Sequence, residues 1–127
     1  MEIKNTIVII QARVGSSRLP NKVLKKLIGK TVISHIINRC NQIDGVRFVC
    51  CAIPDDQSND VLAQEIKKTK AELYRGSETD VLNRYFMAAK YFDAKNIVRV
   101  TGDCPLLDPA VCTQLLGLFV ESSADYA

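Results

Sequence analysis

The sequence predicts an α/β fold in which a mainly parallel sheet carries helices on both faces. Short runs rich in β-branched residues alternate with longer stretches whose apolar residues recur at helical spacing. Four such strand-and-helix units follow one another, as the crossover connections of parallel strands require. The 127 residues are 47% hydrophobic and 24% charged, which suffices for one buried core and excludes disordered, collagen-like and coiled-coil classes.

The first unit starts with Thr6–Ala12, a β-branched run typical of a strand that is buried on both faces. A polar loop separates this strand from a helix predicted over Val32–Asn41. Thr31 precedes the helix and is its expected N-cap, because a threonine hydroxyl can accept a free amide N–H. His35 is the only histidine and has no partner at a catalytic spacing, so we interpret it as structural.

The second unit begins with a strand predicted over Phe48–Ile53. A turn at residues 54–56 follows this strand. Ser58 is the expected cap of the next helix, whose apolar face is predicted to contain Val61, Leu62 and Ile66.

The third unit combines a short strand, Ala71–Tyr74, with a helix preceded by Ser77 and Asp80 at capping-box spacing. The apolar side chains that mark this helix at a period of 3.6 residues are Val81, Leu82, Tyr85, Phe86 and Ala89. Core packing is the default interpretation of its aromatic residues, including Tyr91 and Phe92.

The fourth unit contains a strand at Asn96–Thr101 and a last helix with Asp108 as N-cap and Pro109 at the first helical position. The side chains that this helix is expected to bury are Val111, Leu115 and Phe119. Together the four units predict a Rossmann-like domain over residues 1–127.

The charge distribution is uneven, although the net charge is only +3. Between Ile3 and Ile43 there are eight basic residues and no acidic one, whereas the remainder has nine basic and fourteen acidic residues. A net charge this small does not indicate a nucleic-acid partner. The basic first third instead suggests a local anion site.

The five cysteines show no CxxC spacing, which favours neither a zinc site nor a disulfide framework. They are interpreted as reduced and mostly buried thiols. The early apolar run Ile7–Ile10 is too short for a signal peptide core or a membrane span. We therefore expect a cytoplasmic protein without a membrane partner.

The loop after the first strand is the strongest candidate site, because ligands of open α/β sheets bind at the carboxyl ends of the strands. Arg13, Arg18 and Lys22 bring three cations into this loop, and Pro20 disfavours a helix there. Gly15 permits close backbone approach, and two serines add donors. The pattern predicts phosphate binding, with a solvated basic loop as the alternative.

Two familiar nucleotide motifs are absent from the sequence. The segment Gly29–Thr31 resembles the end of a P-loop, but Leu24 stands where that motif requires a glycine. The dinucleotide fingerprint GxGxxG is also missing, so a nicotinamide or flavin cofactor is not supported.

Asp103 follows the fourth strand and is a candidate magnesium ligand. Mg²⁺ takes one or two carboxylates together with substrate phosphates and water. The alternative role of Asp103 is structural: its carboxylate would accept hydrogen bonds from backbone N–H groups of its own turn. We interpret Asp108 as the N-cap of the last helix and not as a metal ligand. No cysteine has a neighbouring base in the sequence that would make it a nucleophile.

Residues 10–24, IQARVGSSRLPNKVL, resemble the opening motif of the cytidylyltransferases that activate sugar acids as CMP-sugars. Glutamine at position 11 is similar to the spore-coat polysaccharide branch, since other branches usually have proline there. The resemblance implies a nucleotide-diphospho-sugar transferase type of fold and a loop that holds CTP. The residues it nominates are Arg13, Ser16, Ser17, Arg18 and Lys22, with Arg13 and Lys22 in catalytic roles. Ala12 and Gly15 of the same loop are further nucleotide-binding candidates.

Two further segments carry the resemblance. Residues 100–108, VTGDCPLLD, are similar to the family's metal-binding segment and favour Asp103 as a Mg²⁺ ligand. Residues 75–85, RGSETDVLNRY, match a segment that lies beside the nucleotide base and sugar in the family, which nominates Asp80. Ala52 and Asp55 are nominated by the family's approach to the base after the second strand.

The resemblance implies transfer of a cytidylyl group from CTP to a sugar or sugar-acid acceptor, with release of pyrophosphate. It covers the N-terminal part of what such enzymes contain and allows a homodimer. A non-catalytic nucleotide-binding module is one alternative. A sugar-1-phosphate nucleotidyltransferase is another, although its Gly-rich opening is missing here.

Overall fold

The computed structural model of the chain describes residue 3 and residues 5–127. Four parallel strands are connected by helices, and a two-stranded hairpin precedes the first helix. In chain order the elements are β1 Thr6–Gln11, β2 Lys26–Leu27, β3 Lys30–Thr31, α1 Val32–Cys40, β4 Val49–Pro54, α2 Asp60–Lys67, β5 Glu72–Gly76, α3 Val81–Tyr91, β6 Asn96–Thr101 and α4 Pro109–Glu121.

The main sheet has the strand order β5-β4-β1-β6, and every neighbouring pair is parallel. At the carboxyl edge Gln11 lies opposite Ala52 of β4 and Thr101 of β6, while Pro54 lies opposite Gly76 of β5. The predicted parallel sheet is confirmed. This register brings the loops after β1 and β6 side by side, because the two strands end at the same level.

The helices cover both faces of the sheet, as predicted. Alternate residues of β1 point to opposite sides, which explains its unbroken apolar run. Val8 and Ile10 belong to the core under α1 and α2, whereas Ile7 and Ile9 pack with Tyr85 and its neighbours on α3. Each of these fully buried side chains stabilises the fold by about 1.5–3 kcal/mol.

Element boundaries differ from the predictions by a few residues. β1 ends at Gln11 rather than Ala12, α1 ends at Cys40 rather than Asn41, and β5 is Glu72–Gly76 rather than Ala71–Tyr74. The cap before α2 was assigned to the wrong residue: the carboxylate of Asp56 accepts the N–H of Ser58 at 3.2 Å and caps a 3₁₀ turn. The N-cap of α2 itself is Asn59, which makes no side-chain cap bond. For α3 the N-cap is Asp80, whose carboxylate accepts the N–H of Asn83.

The predicted face of α4 is wrong. Val111 and Leu115 are 57% and 49% exposed, Phe119 is half-buried, and Leu116 is the buried residue of this helix. The segment is apolar on more than one side, so periodicity alone does not select the face that packs. The helix meets the loop after α1, where Thr113 Oγ1 accepts the N–H of Asp44, and its Cys112 packs against the core.

Four other apolar residues predicted for helix core faces are exposed. They are Val61, Leu82, Phe86 and Tyr91. In each case a neighbour one turn or one residue away takes the buried position, as Leu62 does on α2. Helix propensity and spacing define a face only to within about one residue when flanking positions are also apolar.

The hairpin β2-β3 was not predicted, and its turn has unusual chemistry. Ile28 and Gly29 connect the strands with φ angles of 51° and 80°, so both central residues are left-handed, as in a type I′ turn. Asparagine and glycine favour that conformation, whereas a β-branched residue disfavours it. The Gly-Lys-Thr sequence that resembles a P-loop therefore has a structural role here, and Thr31 caps α1 through Ser34 N–H.

Replacing Ile28 with asparagine is expected to raise the free energy of unfolding by about 0.5–1 kcal/mol, because asparagine tolerates a positive φ. The side chain is 93% exposed, so little packing is lost. Urea denaturation followed by circular dichroism measures the change. Ile28→Ala is the control, since alanine lacks asparagine's left-handed preference. Equal stability of the asparagine and alanine variants would contradict the idea that the positive φ of residue 28 strains the backbone.

Candidate functional site

A cleft of about 270 Å³ opens at the carboxyl ends of β1 and β6. It lies where ligands of open α/β sheets bind. The residues that line it are Gln11, Ala12, Arg13, Ser16, Ser17, Arg18, Lys22, Val23, Thr101, Gly102 and Asp103. The structure thus brings seven of the predicted site residues into one cavity, namely Ala12, Arg13, Ser16, Ser17, Arg18, Lys22 and Asp103.

The loop after β1 is held in shape by its own backbone. Val14 O accepts the N–H groups of Ser16 and Asn21, both at 3.0 Å, which closes the loop on itself. Asn21 has a φ of 58° and can adopt this left-handed conformation more easily than most residues. Lys22 then begins a 3₁₀ turn, and the Val14 side chain packs into the core. The result is the irregular loop that the sequence predicts.

Asn59 is a loop-positioning residue that the sequence did not reveal. Its buried side-chain oxygen accepts the N–H of Val14 at 2.9 Å, and its amide donates to Asp56 at 2.7 Å. The hydroxyl of Ser58 also donates to the Asp56 carboxylate and lowers its pKa, with the Asn59 amide lowering it further. The 3₁₀ turn before α2 therefore anchors the base of the loop.

Replacing Asn59 with alanine is expected to lower the free energy of unfolding by about 1–3 kcal/mol, because the buried N–H of Val14 loses its acceptor. Loosening of the loop is also expected to weaken anion binding. Denaturant titration and a pyrophosphate titration measure the two effects. Asn38→Ala, at an exposed position on α1, is the control and should stay within about 0.5 kcal/mol of wild type.

Opposite charges meet across the cleft. Lys22 Nζ lies 3.6 Å from Asp103 Oδ2, which joins the loop after β1 to the turn after β6. The Thr101 hydroxyl donates to Asp103 Oδ1 at 2.8 Å. This hydrogen bond, with a smaller contribution from Lys22, holds the pKa of Asp103 below its usual value. The carboxylate is therefore ionised at neutral pH and half-exposed to the cleft.

Gly102 allows the two loops to approach each other. A Cβ at this buried position would lie 2.8 Å from Gln11 O and 3.0 Å from Ala12 Cβ. Atoms do not come this close without a shift of the backbone, so glycine is required by the packing of β6 against β1.

Four nominated residues lie outside the cleft lining. Gly15 is exposed and has no left-handed φ, so the loop geometry by itself does not demand glycine there. Ala52 is fully buried, and its carbonyl accepts the N–H of Ala12. Asp55 is exposed with its N–H on Gly76 O, and Asp80 caps α3. These assignments stay predictions.

Arg84 and Tyr85 belong to the first turns of α3. They reach the carboxyl edge of the sheet on the face opposite to α1 and α2. Arg84 is completely buried, and Tyr85 donates its hydroxyl to Val100 O at 3.0 Å. The segment of residues 75–85 carries the family resemblance, but no sequence pattern assigns a role to Arg84. The only signal in the sequence is that Arg84, a basic residue, stands on the side of the helix where the other residues are core side chains.

Among the residues that the structure describes, the thiols and the histidine show no arrangement for nucleophilic catalysis. Cys40, Cys50 and Cys51 are buried, and burial raises the pKa of Cys40 and of Cys50 to about 12. Cys104 is exposed beside Asp103 and contacts the Thr101 hydroxyl. His35 contacts the carbonyl oxygen of Leu27, in agreement with a structural role.

Asp103 fits a divalent cation that is shared with a phosphate ligand. Among the described residues no group of three or more His, Cys, Asp or Glu side chains could hold a metal ion. A magnesium ion needs only one or two carboxylates when phosphates and water supply its other ligands. A single ionised carboxylate facing a basic loop meets that requirement.

A basic loop after the first strand of a parallel sheet, facing a carboxylate after a neighbouring strand, is typical of nucleotide-binding α/β proteins. The family model described as Cytidylyltransferase matches residues 7–127. The chain therefore belongs to the cytidylyltransferase family, whose members are nucleotidyltransferases.

Curated relatives support the same assignment. The spore coat polysaccharide biosynthesis protein SpsF of Bacillus subtilis is 31% identical, over 98% of this chain and 53% of its own length. The 8-amino-3,8-dideoxy-manno-octulosonate cytidylyltransferase of Shewanella sp. is 30% identical, over 96% of this chain and 50% of its length. The chain thus spans about half the length of these relatives.

Solved structures confirm the predicted fold class. A cytidylyltransferase from Leptospira borgpetersenii superimposes with a TM-score of 0.89 at 31% identity, covering 94% of this chain and 50% of its own. CMP:2-keto-3-deoxy-manno-octonic acid synthetase complexed with CTP gives 0.82 at 26% identity, with coverages of 94% and 48%. A manganese complex of Rv0371c from Mycobacterium tuberculosis shares the fold at 0.69 and 16% identity, with coverages of 90% and 59%.

No helix in the part of the chain that the structure describes has both the length and the apolar character needed to cross a bilayer.

Proposed function

We propose that this chain binds CTP together with Mg²⁺ and transfers its cytidylyl group to a hydroxyl of a sugar or sugar acid in polysaccharide biosynthesis. The observation that supports the proposal is the 3.6 Å pair between Lys22 and Asp103, because a lysine of the basic loop and an ionised carboxylate meet at one cleft. The relatives named above act on sugar acids or in spore-coat polysaccharide synthesis, which supports this substrate class.

Arg13, Arg18 and Lys22 are the proposed phosphate ligands. A nucleoside triphosphate carries about four negative charges, and one charge pair at about 4 Å near a protein surface contributes roughly 4 kcal/mol before desolvation. The Ser16 and Ser17 hydroxyls line the same cleft and add uncharged donors. Three converging cations therefore dominate the binding free energy.

The Lys22–Asp103 pair is suited to exchange when the ligands bind. Both side chains are partly exposed, at 39% and 53%, and a surface pair of this kind contributes at most about 1 kcal/mol. Asp103 would hold the metal ion, and Lys22 would turn to the phosphates. When bound, Mg²⁺ neutralises charge on the phosphates.

The transfer itself requires no protein nucleophile. The acceptor oxygen forms a bond to the α-phosphorus, the bond from that phosphorus to the bridging oxygen of the β-phosphate breaks, and pyrophosphate leaves. The acceptor proton passes to solvent. Arg13 and Lys22 stabilise the charge that develops on the departing phosphates, so alignment and electrostatics supply the catalysis.

A nucleotide titration followed by an assay for pyrophosphate tests the proposal. CTP with Mg²⁺ is expected to raise the thermal unfolding temperature more than UTP, GTP or ATP does, and to yield pyrophosphate with a sugar-acid acceptor. Preference for another nucleotide would contradict the cytidylyl assignment.

A non-catalytic nucleotide-binding module is the second candidate, because the chain spans about half of its relatives' length. It predicts CTP binding without pyrophosphate release. We expect residues 1–127 to form the nucleotide-binding domain in either case. A cytoplasmic location and a homodimer stay predictions.

A further inference from the structure

Arg84 is the one fully buried charged side chain in the described part of the chain. It belongs to the first turn and a half of α3, and its stem packs over Gly76 at the end of β5. A Cβ on Gly76 would lie 3.4 Å from Arg84 Cγ. Because Gly76 lies opposite Pro54 in the sheet, Arg84 sits at the carboxyl ends of β5 and β4.

One side of the Arg84 guanidinium is bound and the other is free. Nη1 donates to Ser77 O at 2.6 Å and more weakly to Glu78 O at 3.4 Å. Nε and Nη2 are buried and have no hydrogen-bond partner among the described residues. These two nitrogens form a single edge of the planar group, with two N–H bonds that point in the same direction. Buried donors are normally paired, so this edge calls for an acceptor.

Arg84 lies within electrostatic range of the loop after β1. Burial lowers the pKa of Arg84, with Tyr85 opposing the shift, and Arg13 lowers it further through its own charge. Two guanidinium groups thus lie within electrostatic range, one in the cleft and one behind it. Glu78 lies close enough to offset part of this repulsion.

In Arg75, the other arginine at this end of β5, every side-chain nitrogen has a partner. Its Nε donates to Pro54 O at 3.2 Å, Nη2 donates to Asp56 O at 2.8 Å, and Nη1 pairs with Asp60 at 2.8 Å. All three nitrogens are occupied in holding the segment between β4 and α2. The buried nitrogens without a partner at the β4-β5 end therefore belong to Arg84.

We propose that Arg84 recognises the pyrimidine base of the nucleotide, with Nε and Nη2 donating to the adjacent O2 and N3 acceptors of cytosine. This inference rests on the proposed function. Uracil cannot make the pair, because its N3 carries a proton. The phosphate ligands and Asp103 lie at the ends of β1 and β6, so the β4-β5 end is left for the base. Ser77 and Glu78, in the loop before α3, accept hydrogen bonds from Arg84; binding of the base requires this loop to move, because Nε and Nη2 are buried.

Equilibrium binding of CTP and UTP to wild type and to Arg84→Met tests the assignment. Wild type is expected to bind CTP at least about tenfold more tightly than UTP, as for a base contact made by two hydrogen bonds. In Arg84→Met the affinities for CTP and UTP should differ by less than about threefold. Inorganic triphosphate should bind both proteins equally. Arg99→Met is the matched control, because Arg99 is an exposed arginine on β6 that stacks on Tyr85. Its preference for CTP should match that of wild type.

A ligand-side measurement makes the test independent of folding. In 3-deaza-CTP a C–H group replaces the N3 acceptor, and wild type is expected to bind it about tenfold more weakly than CTP. Arg84→Lys, which keeps the charge and loses the planar edge, should bind CTP and 3-deaza-CTP alike.

Three results would overturn the inference. They are an unchanged CTP preference in Arg84→Met, equal binding of CTP and 3-deaza-CTP by wild type, and a parallel loss of CTP, UTP and inorganic triphosphate in the variant. The last would assign Arg84 to the phosphates or to structure. Failure of wild type to bind any nucleotide would overturn the proposed function itself, and this inference with it.

Discussion

Replacing Asp103 with asparagine is expected to remove the Mg²⁺ dependence of CTP binding and to weaken binding in Mg²⁺ by about 30- to 100-fold. Asparagine has nearly the same shape and can still accept the hydroxyl of Thr101, which now donates to the carboxylate at 2.8 Å. The charge is lost, and with it the ligand that a magnesium ion prefers. Stability should change by less than about 1 kcal/mol, because the ion pair with Lys22 is exposed.

Isothermal titration with CTP, in Mg²⁺ and in chelator, measures this effect. Asp93→Asn is a matched control, because Asp93 also forms a surface pair with a lysine at 3.6 Å and lies outside the cleft. The control should bind CTP as wild type does under both conditions. If Asp103→Asn kept its full Mg²⁺ dependence, the carboxylate would not be the metal ligand.

The fold and the basic loop were predictable because their signals are local. The β-branched run of β1 and the three cations after it lie within 17 residues of sequence, from Thr6 to Lys22. Periodicity needs no knowledge of distant residues. The same reasoning failed on α4, where apolar residues surround the helix and only the neighbouring elements decide which side is buried.

The residues that the sequence analysis missed act across long separations or against local preference. Asn59 binds Val14 across 45 positions, and no spacing rule connects the two. Ile28 adopts a left-handed conformation that its side chain disfavours, so the hairpin was not anticipated. Arg84 resembles a surface cation until the structure shows it to be buried. Tertiary contacts determine all three.

A second large effect is expected at Gly102. Replacing it with alanine should lower the free energy of unfolding by about 2–4 kcal/mol, because the new methyl group would meet Gln11 O at 2.8 Å and Ala12 Cα at 3.2 Å. Both contacts are with residues at the end of β1, and backbone there cannot yield without disturbing the sheet. Thermal unfolding should fall by about 3–6 °C for each kcal/mol in a chain of this size.

Gly117→Ala provides the control, since a Cβ on that glycine of α4 meets nothing within 4 Å. Alanine should be neutral there or stabilise the helix by up to about 1 kcal/mol. Comparison of the two variants, each of which adds one methyl group, thus separates the effect of crowding at Gly102 from the general effect of replacing glycine with alanine. Wild-type stability of Gly102→Ala would contradict the close packing of β6 against β1.

Gly102→Ala should also weaken CTP binding beyond what unfolding explains. The collision lies between the turn that holds Asp103 and the start of the loop that holds Arg13, so relief of it moves the proposed metal and phosphate ligands apart. Binding measured well below the unfolding temperature isolates this effect, because the variant is then folded. An affinity equal to that of wild type in the folded variant would mean that the strand ends can separate without loss of the site. A loss of about tenfold or more would mean that their close contact sets the spacing of the ligands.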